Sequence, residues 1–151
     1  MSTAAFVVLL IVGILAVQVA IWIPVLMWFR RRGRAIAAQL QKEMEAEGIV
    51  RGPENGSYRG ATVPGYSVVK NNGVIVLTRR RVIFRTLTGK VMEVPVDTIT
   101  GVRQARRFKG SVVGGQEHLI LQTLAGEIAF YVPNSAGWAK TLSTVAPGPQ
   151  I

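Results

Sequence analysis

Residues 73–102, GVIVLTRRRVIFRTLTGKVMEVPVDTITGV, place short apolar runs between turns. Val74–Leu77, Val82–Phe84 and Val91–Val96 are too short for helices and rich in β-branched residues, so they predict antiparallel strands turning at Arg79-Arg80 and Gly89. The pattern extends both ways. Upstream, YSVVK (66–70) precedes Asn71-Asn72 and Gly73, residues that suit a hairpin turn. Downstream come TITGVRQARRF (98–108), the glycine-rich KGSVVGGQ (109–116), and the pair HLILQTL and GEIAFYV around Ala125-Gly126. AGWAKTLSTV (136–145) then predicts a helix with Trp138, Leu142 and Val145 on one face and Asn134 or Ser135 as N-cap. The reading is a mainly-β barrel of about seven antiparallel strands, closed by a C-terminal helix whose Trp138 plugs an open end.

The order of these elements resembles bacterial pleckstrin-homology-like (PH-like) domains of the GRAM type. The matching positions are Gly73, Leu77, Thr78, Arg81, Phe84, Pro95 and Ile99, followed by the later hairpin and the Trp-bearing helix. The resemblance covers 66–145. It implies a binding fold without intrinsic catalysis, whose eukaryotic relatives bind phosphoinositide head groups through basic loops. The basic first hairpin of strong phosphoinositide binders is not matched, since only Lys70 stands beside Asn71-Asn72. A lipid role would therefore rest on charge.

The N-terminal region is of another kind. Residues 4–29 contain no charged side chain and are followed by Arg30, Arg31, Arg32 and Arg34. About 26 helical residues span ~39 Å against a hydrocarbon core of ~30 Å, so the segment predicts a single transmembrane helix. Trp28 and the arginines would anchor it at the interface. The positive-inside rule then puts the N-terminus outside and the remainder in the cytoplasm of a cell (inner or plasma) membrane. The absence of a basic residue before the apolar run argues against a cleaved signal peptide. Residues 30–48 read as a basic juxtamembrane helix with a thin stripe of Ile36, Leu40 and Met44, ended by Gly48. By default the stripe packs on the domain or the bilayer; a short dimerising coiled coil is the alternative, which leaves a homo-oligomer open. Residues 49–65, with Pro53, Asn55-Gly56, Gly60 and Pro64-Gly65, read as a linker, 66–145 as the domain, and 146–151 as a flexible tail.

Composition narrows the chemistry. The net charge is +10, there is no cysteine, and His118 is the single histidine. Disulfides, thiolate catalysis and Cys-based zinc sites are excluded. Glu93, Asp97, Glu117 and Glu127 are scattered, and Glu117 and His118 would point to opposite faces of a strand. No catalytic residue, metal ligand or cofactor motif is nominated, and the chain reads as a non-enzyme. Beyond position 52, twelve basic residues face five acidic ones, so an anionic partner is expected.

Alternating turns would gather Lys70, Lys90, Arg106, Arg107 and Lys109 at one end of the sheet and Arg79 and Arg80 at the other. Loop 106–116, with Phe108 free to dip into an interface, is the first candidate for anionic lipid or partner binding; the Arg79–Arg81 turn is secondary. Nucleic acid is disfavoured, because few aromatics remain for base stacking. The resulting expectation is a membrane-anchored adaptor or accessory subunit docking a membrane-protein partner. The alternative is a sensor of anionic phospholipid head groups.

Overall fold

The computed structural model describes residues 2–67, 69–108, 111–112 and 117–146. Its longest element is α1 (Thr3–Met44), which continues through Pro24 and is followed by a 3-10 turn at Glu45–Glu47. The apolar part of α1, of mean hydropathy 2.9, is long enough to cross a membrane and buries none of itself in the protein. Among the described residues nine strands follow: β1 (Ile49–Ala61), β2 (Asn71–Thr78), β3 (Arg81–Thr86), β4 (Val91–Pro95), β5 (Ile99–Ala105), β6 (Arg107–Phe108), β7 (Ser111–Val112), β8 (His118–Thr123) and β9 (Gly126–Tyr131). The chain closes with α2 (Ser135–Val145).

Seven strands form one antiparallel sheet in the order β4-β3-β2-β1-β9-β8-β5, and β6 and β7 form a separate hairpin. The sheet is open, which corrects the expectation of a barrel. β4 and β5 are its two edges, joined by a 3-10 turn at Val96–Thr98 instead of by hydrogen bonds. Pro95 ends β4, and the Val96 N–H bonds back to Arg80, which turns the chain off the sheet. α2 covers the opening. Trp138 and Leu142 are completely buried against a core of Tyr58, Ile75, Leu77, Phe84, Leu121 and Phe130. The α2 start is capped as expected, with Asn134 Oδ1 accepting from the Gly137 N–H at 3.0 Å.

The first strand is not where the apolar pattern puts it. YSVVK is not a strand among the described residues, and Asn71-Asn72 open β2 instead of forming a turn. The stretch expected to be a linker is β1, which runs along β2 from Ile49↔Thr78 to Tyr58↔Asn71 and then along β9 from Ser57↔Tyr131 to Ala61↔Ile128. β1 therefore joins the two halves of the sheet. Its pairing with β2 is irregular at Ile49/Arg51 and Arg51/Glu54, and its pairing with β9 at Tyr58/Gly60. Glycine and proline are admitted at such bulges.

Both faces of β2 are buried, which is why its apolar run is continuous. Ile75 and Leu77 face the main core, while Val74 and Val76, with Ile83 of β3, receive Ile36, Leu40 and Met44 of α1. The α1 stripe is thus used within the chain, and its last three turns belong to the packing of the domain. Arg85 adds an ion pair to Glu43 at 2.8 Å, and Arg81 is held by Glu47 at 2.5 Å and Glu93 at 2.6 Å. These pairs are partly solvated, so burial of the stripe supplies most of the attachment. Replacing Arg81 by alanine is expected to lower stability by about 1 kcal/mol, read by denaturant unfolding of the full chain in detergent.

Candidate functional site

The arginines on β3 and the turn before it divide into two groups with different roles. Arg81 and Arg85 are spent on the helix. Arg79 and Arg80 are exposed at the C-terminal end of α1, where the Arg79 N–H bonds to Gly48. That end lies about 22 Å along the helix from Phe29, by the ~1.5 Å rise per residue. The opposite end of the sheet lies beside the arginine cluster. Arg32 Nε donates to the Leu87 carbonyl at 3.0 Å, and the Leu87 N–H donates to Asn72 at 3.1 Å. The β3–β4 turn, with exposed Lys90, and the start of β2, with exposed Lys70, are thereby set next to residues 30–34.

Lys70 and Arg59 both act electrostatically on His118, whose Nδ1 lies 3.1 Å from the Ala105 carbonyl. Lys70, Arg59 and Arg106 therefore converge on one region of the domain. Arg106 and Arg107 are exposed. Lys109 and most of the loop after it, 110 and 113–116, lie outside the described residues. Phe108 is not a free wedge: it is 4% exposed and packs on Ile120 and Ala129. The expected membrane-dipping side chain is instead the plug of the β6–β7 hairpin. The physical reason is that Ile120 and Ala129 face away from the main core and need a cover of their own.

His118 is completely buried, and its Nε2 has no hydrogen-bond partner among the described residues. Burial, aided by the Arg59 and Lys70 charges, pushes its pKa below the ordinary histidine value, against the opposing hydrogen bond to Ala105. The unfolded chain then takes up a proton that the folded chain refuses, so stability should be full above about pH 6.5 and decline as the pH falls below it. Glu47 and Glu127, held below the usual carboxylate range by hydrogen bonds from Arg81 and Arg103, act only beneath that window. Melting temperatures measured from pH 7.5 to 5 should fall in the wild type and flatten in His118→Gln.

Sequence reasoning missed a cleft of about 820 Å³ between α1 and the sheet. Its helix side is Phe29, Arg30, Gly33, Arg34 and Ala37; its sheet side includes Asn55, Gly56, Ser57, Asn72, Gly73 and Tyr131. Arg30 and Arg34 stand one turn apart on one helix face. Neither has an ion-pair partner among the described residues. Ser57 donates to Asn72 Oδ1 at 2.6 Å, which fixes the polar floor. Glu54 also lines the cleft, but its carboxylate accepts from Trp138 Nε1 and from Arg51 Nε, while the Arg51 guanidinium sits 5.4 Å over the Trp138 ring. The cleft could not be read from the sequence, because residues 53–57 read as a linker. No family model matches the chain, and no curated protein matches it.

Proposed function

We propose that the chain is a non-catalytic, single-pass membrane adaptor or accessory subunit, with its N-terminus outside and a cytoplasmic PH-like domain that docks a membrane-protein partner at the bilayer surface. One observation carries this reading: α1 runs without a break from the apolar segment into the packing of the sheet, so the domain is fastened to its anchor in one orientation. A tethered recruiter would need a flexible linker, whereas a fixed mount suits a subunit that must present one surface to a neighbour in the membrane. The PH-like assignment is supported by the seven-stranded antiparallel sheet, the strand β1 shared by its two halves, and the C-terminal helix seated over the opening through Trp138.

The test is cross-linking and co-purification of the full chain from native membranes. The adaptor reading expects a defined partner that survives moderate salt and is lost when residues 4–29 are exchanged for an unrelated apolar span. Recovery of the chain alone under both conditions would overturn it. A second reading is favoured by the convergence of Lys70, Arg59 and Arg106 at the end of the sheet beside the arginine cluster. There the basic end would touch anionic lipid and orient the domain, with attraction that fades as salt shortens the Debye length. An Arg106→Glu/Arg107→Glu variant in anionic nanodiscs should then release the domain from the surface at physiological salt.

A further inference from the structure

The 820 Å³ cleft is lined by Phe29, Arg30 and Arg34, where the apolar segment of α1 gives way to the arginine cluster. If residues 4–29 fill the hydrocarbon, the turn from Arg30 to Arg34 occupies about 6 Å along the helix axis, comparable to the roughly 5–8 Å head-group layer of one leaflet. Two guanidinium groups without carboxylate partners among the described residues face a polar floor of Ser57 and Asn72, and Phe29 stands at the apolar lip. Gly33 leaves the helix side open: a Cβ there would meet only Asn55 Oδ1, at 3.7 Å. A ligand for this site needs a phosphate for the arginines, a compact polar head group for the floor and an apolar continuation past Phe29. The volume falls within the range of small-molecule sites, and guanidinium is the side chain best shaped to grip a phosphate.

We propose that the cleft binds the head group of one phospholipid of net negative charge from the leaflet on the arginine side. Its phosphate lies between Arg30 and Arg34, its head group on Ser57 and Asn72, and its acyl chains along the apolar face of α1. The lipid fills the space between anchor and sheet and completes their junction. The proposal shares the membrane span with the function proposed above and anionic lipid with its second reading, which places it on Arg106 and Arg107 and not in this cleft; resistance to alkaline extraction checks the span separately.

The full-length protein would be placed in nanodiscs of seven parts phosphatidylcholine to three parts phosphatidylglycerol. After gentle detergent extraction, native mass spectrometry would count the lipid retained. One phosphatidylglycerol per chain is expected, preferred at least tenfold over phosphatidylcholine. Arg30→Gln/Arg34→Gln should reduce retention at least tenfold. Gly33→Leu, which keeps every charge and fills the space, should do the same with its melting temperature unchanged. Arg31→Gln, which removes a cluster charge outside the cleft, should retain the lipid. Retention in Gly33→Leu, equal loss in Arg31→Gln, or equal retention of both lipids would overturn the proposal. Displacement by millimolar inorganic phosphate would also overturn it, assigning the site to a soluble anion.

Discussion

Replacing Leu40 by aspartate is expected to detach the β domain from its helix while leaving the domain folded. Leu40 is fully buried between Ile36 and Met44 on α1 and Val74, Val76 and Ile83 on the sheet, a cluster separate from the main core under α2. Losing a buried leucine side chain costs about 2–5 kcal/mol, and an unpartnered carboxylate adds desolvation, for a total of about 4 kcal/mol or more. The ion pairs of Arg85 with Glu43 and Arg81 with Glu47 are too solvated to compensate. Spin labels at Lys42 on α1 and Lys90 on the β3–β4 turn should give a narrow distance distribution in the wild type and a broad one in Leu40→Asp. Gln41→Asp, on the exposed face, should leave it narrow. Unchanged distances in Leu40→Asp would show that the helix is held by something other than its apolar stripe. On the proposed adaptor function, a freed domain should no longer co-purify with a membrane partner even though the domain itself is intact.

The stripe Ile36, Leu40 and Met44 was legible because helical spacing survives in the sequence whatever it packs against; its destination was not, since Val74, Val76 and Ile83 reveal a second buried face only once the sheet is covered on both sides. β2, β3, β8, β9 and the helix with Trp138 follow from runs of β-branched residues and from a capped, amphipathic segment. β1 was concealed by its own chemistry. Pro53, Asn55-Gly56 and Gly60 are turn residues by local preference, yet here they serve a strand that bulges as it passes from β2 to β9. YSVVK has the composition of a strand and is not one among the described residues. The same error hid the cleft, whose floor is β1. The alternation of turns used to sort the basic residues took YSVVK as the first strand, which it is not among the described residues. Which arginines are free could not be read either, because Arg81 and Arg85 meet their carboxylates on α1 only through tertiary packing.

Gly73→Ala is expected to be the most damaging small substitution in the sheet. A Cβ at Gly73 would lie 2.1 Å from the Arg85 carbonyl oxygen and 2.9 Å from Thr86 Cα. These are backbone atoms of β3, so no side chain can swing aside, and β2 would have to part from β3 at the Gly73↔Thr86 pair. On its other side Gly73 pairs with Gly56, where an added Cβ would meet the Tyr131 carbonyl at 3.0 Å. Two paired glycines thus stand beside the point where β1 passes from one half of the sheet to the other, and they let three strands approach closely there. Overpacking a site of this kind costs typically 1–3 kcal/mol, and the backbone contacts put it at about 3 kcal/mol, a fall in melting temperature of more than ~10 °C for a domain of this size. Gly33→Ala is the matched control. That glycine lines the same cleft from the helix side, meets only Asn55 Oδ1 at 3.7 Å, and gains helix propensity on substitution. Thermal unfolding in detergent should separate the two widely. Equal melting temperatures would mean that the sheet can relax at Gly73, and that the close approach of β1, β2 and β3 does not set the shape of the cleft.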